Sequence, residues 1–259
     1  MNSTLAEIHQ SGAKTTGNIL LELTSKLSDA EGSQEFIELL VEAISPFGYE
    51  KIVYARSPGE DSKVEEYISL TNLDPDWMQY YVSNRLFDMD YAFEHCLHSR
   101  VPLRWVTIPQ MFEDGLLSTD NMKVYAAAGE WGVSNGVTIP LPCFGRYHAG
   151  ISLAADSKAD HDEQDQVFRE NEKILTAIVQ AFHAAVNMGT IARDYFGLSK
   201  REVQVLKLQS DGLKTKEIAA KLETSPHTVE KQAKSARERL FASSSTQAVA
   251  KAVLLGIID

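Results

Sequence analysis

Helix start and stop signals follow one another at short intervals in the last quarter of the chain, and this pattern restricts the fold more than any other feature. Ser199 and Glu202 form a capping box, in which the two side chains bind free backbone amides at a helix start. Gly212 is typical of the residue just past a helix end, and Ser225 followed by Pro226 is typical of a helix start. Four short helices are therefore predicted, beginning near Ser199, Thr215, Ser225 and Ser245, the last of them ending at Gly256.

The third predicted helix carries basic side chains, namely Lys231, Lys234, Arg237 and Arg239. A helix, a short turn and a second helix with a basic face is the plan of a helix-turn-helix, whose recognition helix enters the DNA major groove. A helical bundle with a solvated charged face is the alternative. The agreement of caps, turn spacing and charge favours DNA binding.

The charge distribution separates this basic region from an acidic remainder. The chain of 259 residues has a net charge of −11, which alone argues against nucleic-acid binding. From Ser199 onwards, however, 11 Lys and Arg oppose 7 Asp and Glu, whereas the preceding residues carry 14 against 29. An acidic domain joined to a basic one indicates nucleic acid as a partner, with chance clustering in an acidic protein as the alternative.

The remainder of the chain mixes helix and strand patterns and is long enough for a second domain. Hydrophobic periodicity predicts helices within 17–46 (two of them), 76–84, 90–98, 121–130 and from Gln164 to about Asn187. Strands are predicted at 51–56, 66–70, 136–141 and 148–154, with a polar turn at 57–63 and an extended segment at 101–107.

Neighbouring strands joined by hairpins predict an antiparallel sheet between helices. The predicted fold class is therefore α+β, an N-terminal α/β/α sandwich around an antiparallel sheet plus a small all-α four-helix helix-turn-helix domain. The expected division is 17–187 for the first domain, 188–197 for a linker and 198–259 for the second domain.

Several classes of protein are excluded by simple counts. Cys96 and Cys143 are too few for a disulfide framework or a zinc site. There is no run of about 18 apolar residues and no secretory signal pattern at the start of the sequence. A cytoplasmic protein without a membrane partner is expected.

The C-terminal segment resembles the DNA-binding domain of LuxR-type transcription regulators over all four predicted helices. The matching positions are Ser199, Arg201, Glu202, Val205, Leu206, Gly212, Lys216 to Ala219, Leu222, Ser225, Thr228, Val229, Leu240, Thr246 to Ala248 and Gly256. This domain is shared by response regulators, but the first domain lacks the βαβ pattern of a phosphoacceptor domain.

The first domain instead resembles the autoinducer-binding domain of the quorum-sensing members of that family. The resemblance depends on the spacing of Trp77, Tyr81, Asp90 and Trp105 and on the segment from Glu130 to Pro140. It implies a homodimer that binds an inverted repeat in double-stranded DNA and responds to a small-molecule autoinducer, with RNA polymerase open as a further partner. It implies no cofactor.

An acyl-homoserine lactone has one amide N–H, two carbonyl groups and an apolar tail, and the motif residues suit these groups. Asp90 can accept from the N–H, and the Trp77 indole can donate to the lactone carbonyl. Tyr81 and Trp105 can pack around the head, and Gly136 would leave room for it. Each residue alone is more often core or cap than ligand contact, so the prediction depends on their joint spacing.

Three positions depart from the family pattern. Leu73 stands where a Tyr hydroxyl usually meets the acyl carbonyl, and Tyr91 replaces the Pro that usually follows the Asp. Ala154 is expected at the strand position that often holds Ser or Thr beside the ligand amide. The departures favour an unusual acyl group, branched or aromatic, or a signal that is not a lactone; a regulator that acts without ligand is a further alternative.

On the predicted recognition helix, Gln232 replaces the usual His, and Glu230 occupies a position commonly used to contact bases. Glu can accept from a cytosine amine but repels phosphate. Lys231, Lys234 and Arg237 are predicted to contact DNA, and Ser225 and Thr228 at the helix start are predicted to lie near a phosphate.

An enzyme that modifies the signal, such as an acylase or lactonase, is the alternative from a different class. The sequence contains no nucleophile elbow, HExxH, Walker A or dinucleotide-binding motif. His95 and His98 beside Cys96 lack an evident third metal ligand, and the acidic loop 160–165 lacks the glycine and terminal glutamate of an EF-hand. The prediction is a regulator that is neither an enzyme nor a metalloprotein.

Overall fold

A computed structural model describes residues 17–57, 67–143 and 148–259. The chain forms two compact units, with the main division between Val186 and Asn187. The helices of the first unit are 17–29 (α1), Ser33–Ile44 (α2), Pro75–Ser83 (α3), Tyr91–His98 (α4), Ile108–Glu113 (α5), Thr119–Glu130 (α6) and His161–Ala185 (α7). Its strands are Tyr49–Ser57 (β1), Ile68–Thr71 (β2), Leu103–Arg104 (β3), Gly136–Leu141 (β4) and His148–Ala155 (β5).

The five strands form one antiparallel sheet in the order β2-β1-β5-β4-β3. The central strand β5 pairs with β1 on one side, where Ser152 faces Val53, and with β4 on the other, where Ser152 faces Thr138. The predicted fold class, an antiparallel sheet flanked by helices, is confirmed.

Alternation along β1 determines which side chains face each helical layer. Tyr54 is fully buried and meets Phe182 of α7 edge to face, with ring centroids 5.7 Å apart. Val53 and Ala55 point to the opposite face, where they line a cavity beneath α4. The sheet therefore separates the α7 layer from the layer that holds the cavity.

Close packing of α4 on the sheet depends on a glycine. A Cβ atom built at Gly150 of β5 would lie 2.3 Å from the Sγ atom of Cys96 in α4. Any larger residue at position 150 would therefore push α4 away from the sheet and change the shape of the cavity.

The structure differs from the sequence predictions around residue 105. The segment 101–107, predicted to be extended, contains only the two-residue strand β3 before the chain turns into a 3-10 helix at Trp105–Thr107. Helix α5 follows directly and was not predicted, because its six residues are too few for a periodic pattern. The predicted turn at 57–63 lies outside the described residues except for Ser57.

The segment predicted as a linker contains a helix, Met188–Tyr195 (α8). The Asn187 side chain caps this helix by accepting from the Thr190 amide at 3.1 Å. Ile191 and Ala192 are buried, so the segment has a packed apolar face. The sequence prediction overlooked the cap because the segment is polar and short.

The remaining helices of the second unit are Lys200–Ser210 (α9), Thr215–Lys221 (α10), Pro226–Arg239 (α11) and Ser245–Leu254 (α12). The predicted capping box is present: the Ser199 amide donates to Glu202 at 2.7 Å, and the Glu202 amide donates to Ser199 Oγ at 3.2 Å. Gly212 ends α9 with a φ of +84°. The helices pack on a core of Val205, Leu208, Ile218, Ala219 and Val229.

Across the described ranges, no single helix is long and apolar enough to span a bilayer, although α7 and α8 counted together pass that test of length and composition.

Candidate functional site

A cavity of about 80 Å³ lies between the sheet and α4 in the first unit. Its polar lining is contributed by Tyr81, Asp90, Thr138, His148 and Ser152, and Cys96 adds a thiol. Its apolar lining is Val53, Ala55, Ala92, Phe93, Leu97, Ala149 and Gly150. Tyr81 and Asp90 were predicted as site residues from sequence, and the structure brings both to this cavity.

Asp90 is both the N-cap of α4 and a wall of the cavity. Its Oδ1 atom accepts from the Ala92 amide at 2.9 Å, and its Oδ2 atom accepts from the Tyr81 hydroxyl at 2.8 Å. Burial raises the pKa of Asp90 above its usual value, and the hydrogen bonds to the carboxylate act in the opposite direction. A carboxylate has about four acceptor positions, so Asp90, which interacts with Tyr81 and the Ala92 and Phe93 amides, can accept from a further donor.

Trp77 lies one aromatic ring behind Tyr81 rather than on the cavity wall. Its ring centroid is 5.8 Å from that of Tyr81 and 6.1 Å from that of the half-exposed Trp131. Leu73 and Ala154 belong to the same buried cluster as Trp77. These three predicted site residues therefore form an apolar wall that adjoins the cavity without lining it.

Trp105 reaches the cavity through two hydroxyl groups. The Trp105 indole N–H donates to Thr138 Oγ1 at 2.9 Å, and Thr138 Oγ1 lies 2.9 Å from Ser152 Oγ. Thr138 is 2% exposed, whereas Ser152 is half-buried and lines the cavity. Trp105 thus supports a pair of hydroxyls on the sheet wall.

Ala154, predicted to lie beside the ligand amide, has a polar neighbour on the same face of its strand. Ser152, two residues earlier on the same face of β5, lies on the cavity wall, and Ala154 packs with Trp77. Because residues 152 and 154 share a face, alternation alone could not choose between them. The signal that could have identified Thr138 and Ser152 is their polarity within otherwise apolar strands.

Gly136, predicted to leave room for the ligand, lies where two strands and Trp105 approach one another closely. A Cβ atom at this position would lie 2.3 Å from the carbonyl oxygen of Leu153 and 3.0 Å from the Trp105 ring. Gly136 therefore allows β4, β5 and Trp105 to approach one another. It does not line the cavity.

The size of the cavity limits what it can bind without rearrangement. Its volume of about 80 Å³ is roughly half of the ~150 Å³ that accommodates benzene in an engineered apolar cavity. An acylated lactone is larger than benzene, so its binding requires the surrounding side chains to move apart. The walls combine one acceptor, Asp90, with hydroxyl donors and apolar surface, which suits a small polar head with an apolar tail.

The second candidate site is the outer face of α11. Glu230, Lys231 and Lys234 are exposed, and Arg237 is half-buried. Lys234 lies 3.8 Å from Glu238, an exposed pair that contributes little to stability. The basic face predicted from the sequence is therefore accessible.

Ser225 and Thr228 are already engaged with each other at the start of α11. Ser225 Oγ accepts from the Thr228 amide at 3.1 Å and lies 2.8 Å from Thr228 Oγ1. Their primary role here is to cap the helix, which also aligns the free amides of its first turn.

Other basic side chains of the second unit are used within the fold. Arg239 lies 3.4 Å from Glu202, Lys207 bonds to Asp259 at 2.6 Å, and Lys251 donates to the Leu240 carbonyl at 3.1 Å. These contacts distinguish the structural cations from those on the face of α11.

The described residues include His and Cys side chains, but not in a metal-binding cluster. No group of three His, Cys, Asp or Glu side chains in those ranges could hold a metal ion. His95 Nε2 lies 2.7 Å from the Val101 carbonyl oxygen. Burial raises the pKa of Cys96 to about 12, so this thiol on the cavity wall is a poor nucleophile.

Two family models match successive parts of the chain. Residues 32–186 match the family described as "Autoinducer binding domain". Residues 197–252 match the family described as "Bacterial regulatory proteins, luxR family". The two matches cover the unit with the cavity and the unit with the basic helix.

Comparison with individual proteins gives the same pairing of domains. The transcriptional activator protein VanR of Vibrio anguillarum is 25% identical over 218 residues, which cover 82% of this chain and 86% of VanR. A structure of SdiA in complex with octanoyl-rac-glycerol aligns with a TM-score of 0.52 at 19% identity, covering 94% of this chain and 95% of SdiA.

A third comparison covers a smaller share of the chain. The N-acylhomoserine lactone dependent LuxR family factor CepR2 of Burkholderia cenocepacia aligns with a TM-score of 0.53 at 16% identity, covering 69% of this chain and 99% of that structure. At these identities the two structural matches show a shared fold.

Proposed function

The chain belongs to the LuxR family of transcription regulators that carry an autoinducer-binding domain, and from this premise we propose that it binds an N-acyl- or N-aroyl-homoserine lactone and an inverted-repeat promoter site. The family consists of regulators, not enzymes. The lactone and the DNA site are the two parts of the proposal that need testing.

The cavity beside Asp90 is the observation that carries the ligand proposal. A buried carboxylate with a spare lone pair faces the same space as the hydroxyls of Thr138 and Ser152. An amide offers one N–H donor and one carbonyl acceptor, so it satisfies both walls at once. We propose that Trp77, whose ring centroid lies 5.8 Å from that of Tyr81, donates to the lactone carbonyl once the cavity widens.

The small volume favours a compact acyl group. A planar aromatic or short branched acyl chain requires less displacement of Phe93, Leu97 and Cys96 than a long straight chain. His148 also lines the cavity and adds a polar group to its wall.

Mass spectrometry of small molecules extracted from the purified full chain tests this proposal directly. Protein expressed with a mixture of acyl- and aroyl-homoserine lactones should retain one of them at near-stoichiometric amount. Protein carrying Asp90→Asn, grown in the same mixture, should retain much less. If both proteins retained equal amounts of a lactone, or if neither protein retained one, the result would argue against a lactone site at Asp90.

A signal that is not a lactone is the second candidate, supported by the glycerol ester in the SdiA complex. A monoacylglycerol has an ester carbonyl and free glycerol hydroxyls but no amide N–H, so it would bind Asp90 through a hydroxyl donor instead. Extraction of an acylglycerol rather than a lactone would select this alternative. Extraction of no small molecule, with unchanged DNA binding, would select a regulator that acts without ligand.

The exposed basic face of α11 supports the DNA part of the proposal. We propose that Lys231, Lys234 and Arg237 contact bases or phosphates, that the capped helix start at Ser225 and Thr228 lies near a phosphate, and that Glu230 accepts from a cytosine amine. One such helix reads a short half-site, so binding as a homodimer to an inverted repeat follows. RNA polymerase is the natural further partner of a promoter-bound activator.

A further inference from the structure

We propose that His148 is a specificity residue that binds a hydroxyl group at the far end of the ligand's acyl group. The inference rests on the proposed function, because it names the class of acyl group that the lactone site would take. That class is a compact acyl group with a terminal hydroxyl, on an aromatic ring or on the last carbon of a short chain. His148 is half-buried and lines the cavity at the first position of β5.

The cavity follows β5 along one face of the sheet. Alternation places His148, Gly150 and Ser152 on this face, and all three line the cavity. Ser152 opposes Val53 of β1, and Gly150 opposes Ala55, and these two partners line the cavity as well. His148 lies four residues from Ser152, which is about 13 Å along a strand at roughly 3.3 Å per residue. The cavity is therefore elongated along β5.

Helix α4 shows which end of this elongated cavity contains the buried carboxylate. Met89, which precedes Asp90 in the chain, packs in one cluster with Ala154 near the end of β5. Further along α4, Cys96 meets the middle of β5, where a Cβ atom built at Gly150 would lie 2.3 Å from its sulfur. Asp90 and the first residue of β5 therefore lie at opposite ends of the cavity.

The polar side chains at the two ends differ in how well they are satisfied. At the carboxylate end, the Tyr81 hydroxyl donates to Asp90 at 2.8 Å. The hydroxyls of Thr138 and Ser152 lie 2.9 Å apart. Within the ranges that the structure describes, His148 forms no hydrogen bond or ion pair. His148 is thus a polar group on the cavity wall that is open to a ligand.

The chemistry of imidazole and of the lining between the two ends determines the ligand group. A neutral imidazole has one donor and one acceptor nitrogen, and a hydroxyl is also both donor and acceptor, so the two can pair in either tautomer. Ala55 and Phe93 provide apolar surface for a ring or a short chain. A hydroxyl buried there without a partner would weaken binding, whereas one bonded to His148 would strengthen it.

Two matched pairs of lactones test the proposal on the full chain. One pair is N-benzoyl- and N-(4-hydroxybenzoyl)-homoserine lactone, and the more flexible pair is N-hexanoyl- and N-(6-hydroxyhexanoyl)-homoserine lactone. Titration calorimetry gives their affinities for the wild type and for His148→Phe, which keeps a flat ring without its nitrogens. His161→Phe is the control, because His161 is exposed at the start of α7. The ratio of affinities within a pair cancels a general loss of folding, since both members bind the same protein.

The wild type should bind the hydroxylated member of at least one pair about five- to tenfold more tightly than its parent. His148→Phe should bind the parent at least as tightly as the hydroxylated lactone, because the hydroxyl has lost its partner. His148→Gln, which restores a donor and an acceptor, should recover the preference. His161→Phe should keep the wild-type ratio.

A wild type that binds both parents as tightly as their hydroxylated counterparts would overturn the role of His148 and leave the lactone site intact. A preference for the hydroxyl that persists in His148→Phe would overturn it as well. If the wild type bound none of the four probes, the proposed function would fail and the role of His148 with it. The wild-type titration therefore separates the two failures.

Discussion

A carboxylate lies at a helix start in each unit, Asp90 before α4 and Glu202 in the first turn of α9, and their pKa values are shifted in opposite directions. The pKa of Asp90 in the cavity is raised by burial. Burial also acts to raise the pKa of Glu202 in the capping box of α9, but hydrogen bonds from Ser235 and Ser199 and the charge of Arg239 lower it below the usual value. Glu202 is stabilised as a structural anion, whereas Asp90 has no cationic partner among the described residues and can accept from a further donor.

This difference separates a functional carboxylate from a structural one on physical grounds. A carboxylate that accepts several hydrogen bonds from the protein and faces an arginine is not stabilised further by a ligand donor. A carboxylate that lines a cavity and still has a free acceptor position is stabilised when a ligand donor binds there. Four substitutions, each with a matched control, test the comparison.

The largest effect is expected from Asp90→Asn. Asparagine can still cap α4 through its amide oxygen, but it loses the charge that strengthens a bond to a ligand N–H. A loss of about 1.5–3 kcal/mol would weaken lactone affinity roughly ten- to a hundredfold, measurable by titration calorimetry. Asp74→Asn is the control, because Asp74 caps α3 through the Asp76 amide at 2.8 Å outside the cavity and should leave affinity unchanged. Equal losses in both variants would contradict the role of Asp90.

Leu73→Tyr tests the wall that adjoins the cavity. Leu73 is buried in a cluster with Trp77 and Ala154, so the larger ring overpacks the cluster at a cost of about 1–3 kcal/mol. The thermal midpoint should fall by about 2–10 °C. Leu21→Tyr, at a position 71% exposed, should leave it unchanged. A tighter straight-chain lactone without loss of stability would instead place residue 73 at the ligand carbonyl, as the sequence alone suggested.

Glu202→Gln should destabilise the second unit by about 1–2 kcal/mol at neutral pH, the difference between a charged and a neutral hydrogen-bond acceptor. Because the folded-state pKa of Glu202 is depressed, its stabilisation is present above the unfolded pKa of about 4.3 and is lost as pH falls through the folded value. Denaturant unfolding of wild type and variant should therefore converge at acid pH. Glu217→Gln, in the exposed capping box of α10, is the control and should show a smaller difference. A difference in unfolding free energy between wild type and Glu202→Gln that persists at acid pH would show that charge is not the cause.

The smallest effect is expected from Lys234→Ala on DNA binding. Loss of one phosphate contact should weaken affinity several-fold and reduce the salt dependence by about one unit of slope. Lys123→Ala removes an equivalent exposed charge, paired with Asp120 at 2.7 Å in the first unit, and should change neither quantity. Fluorescence anisotropy across a salt series distinguishes the two; identical slopes for all three proteins would remove α11 from the interface.

The two units also differ in how far their structure could be predicted. The helices of the second unit begin and end at local signals, such as Ser199, Gly212 and Ser225, that act within a single turn. The capping box and the helix order followed directly from them. The conformation of the segment before Ser199 was not anticipated, because the cap at Asn187 is a single weak signal.

The cavity required information that no short segment contains. Asp90 and Tyr81 were identified because a motif carries their spacing. Thr138 and Ser152 become neighbours only through the register of β4 with β5, and the close approach of the Trp105 ring to Gly136 also depends on the folded sheet. Strand register and helix placement therefore decided which motif residues line the cavity.

The thermal midpoint of the full wild-type chain, titrated with acyl- and aroyl-homoserine lactones, tests the central claim most directly. A ligand bound only by the folded state stabilises it by about 2.7 kcal/mol at a hundred times its Kd. We expect at least one compact lactone to raise the midpoint in a concentration-dependent way, with a clearly smaller shift in Asp90→Asn. An unchanged wild-type midpoint with every lactone, together with promoter binding of the same affinity in their absence, would contradict a lactone site at Asp90.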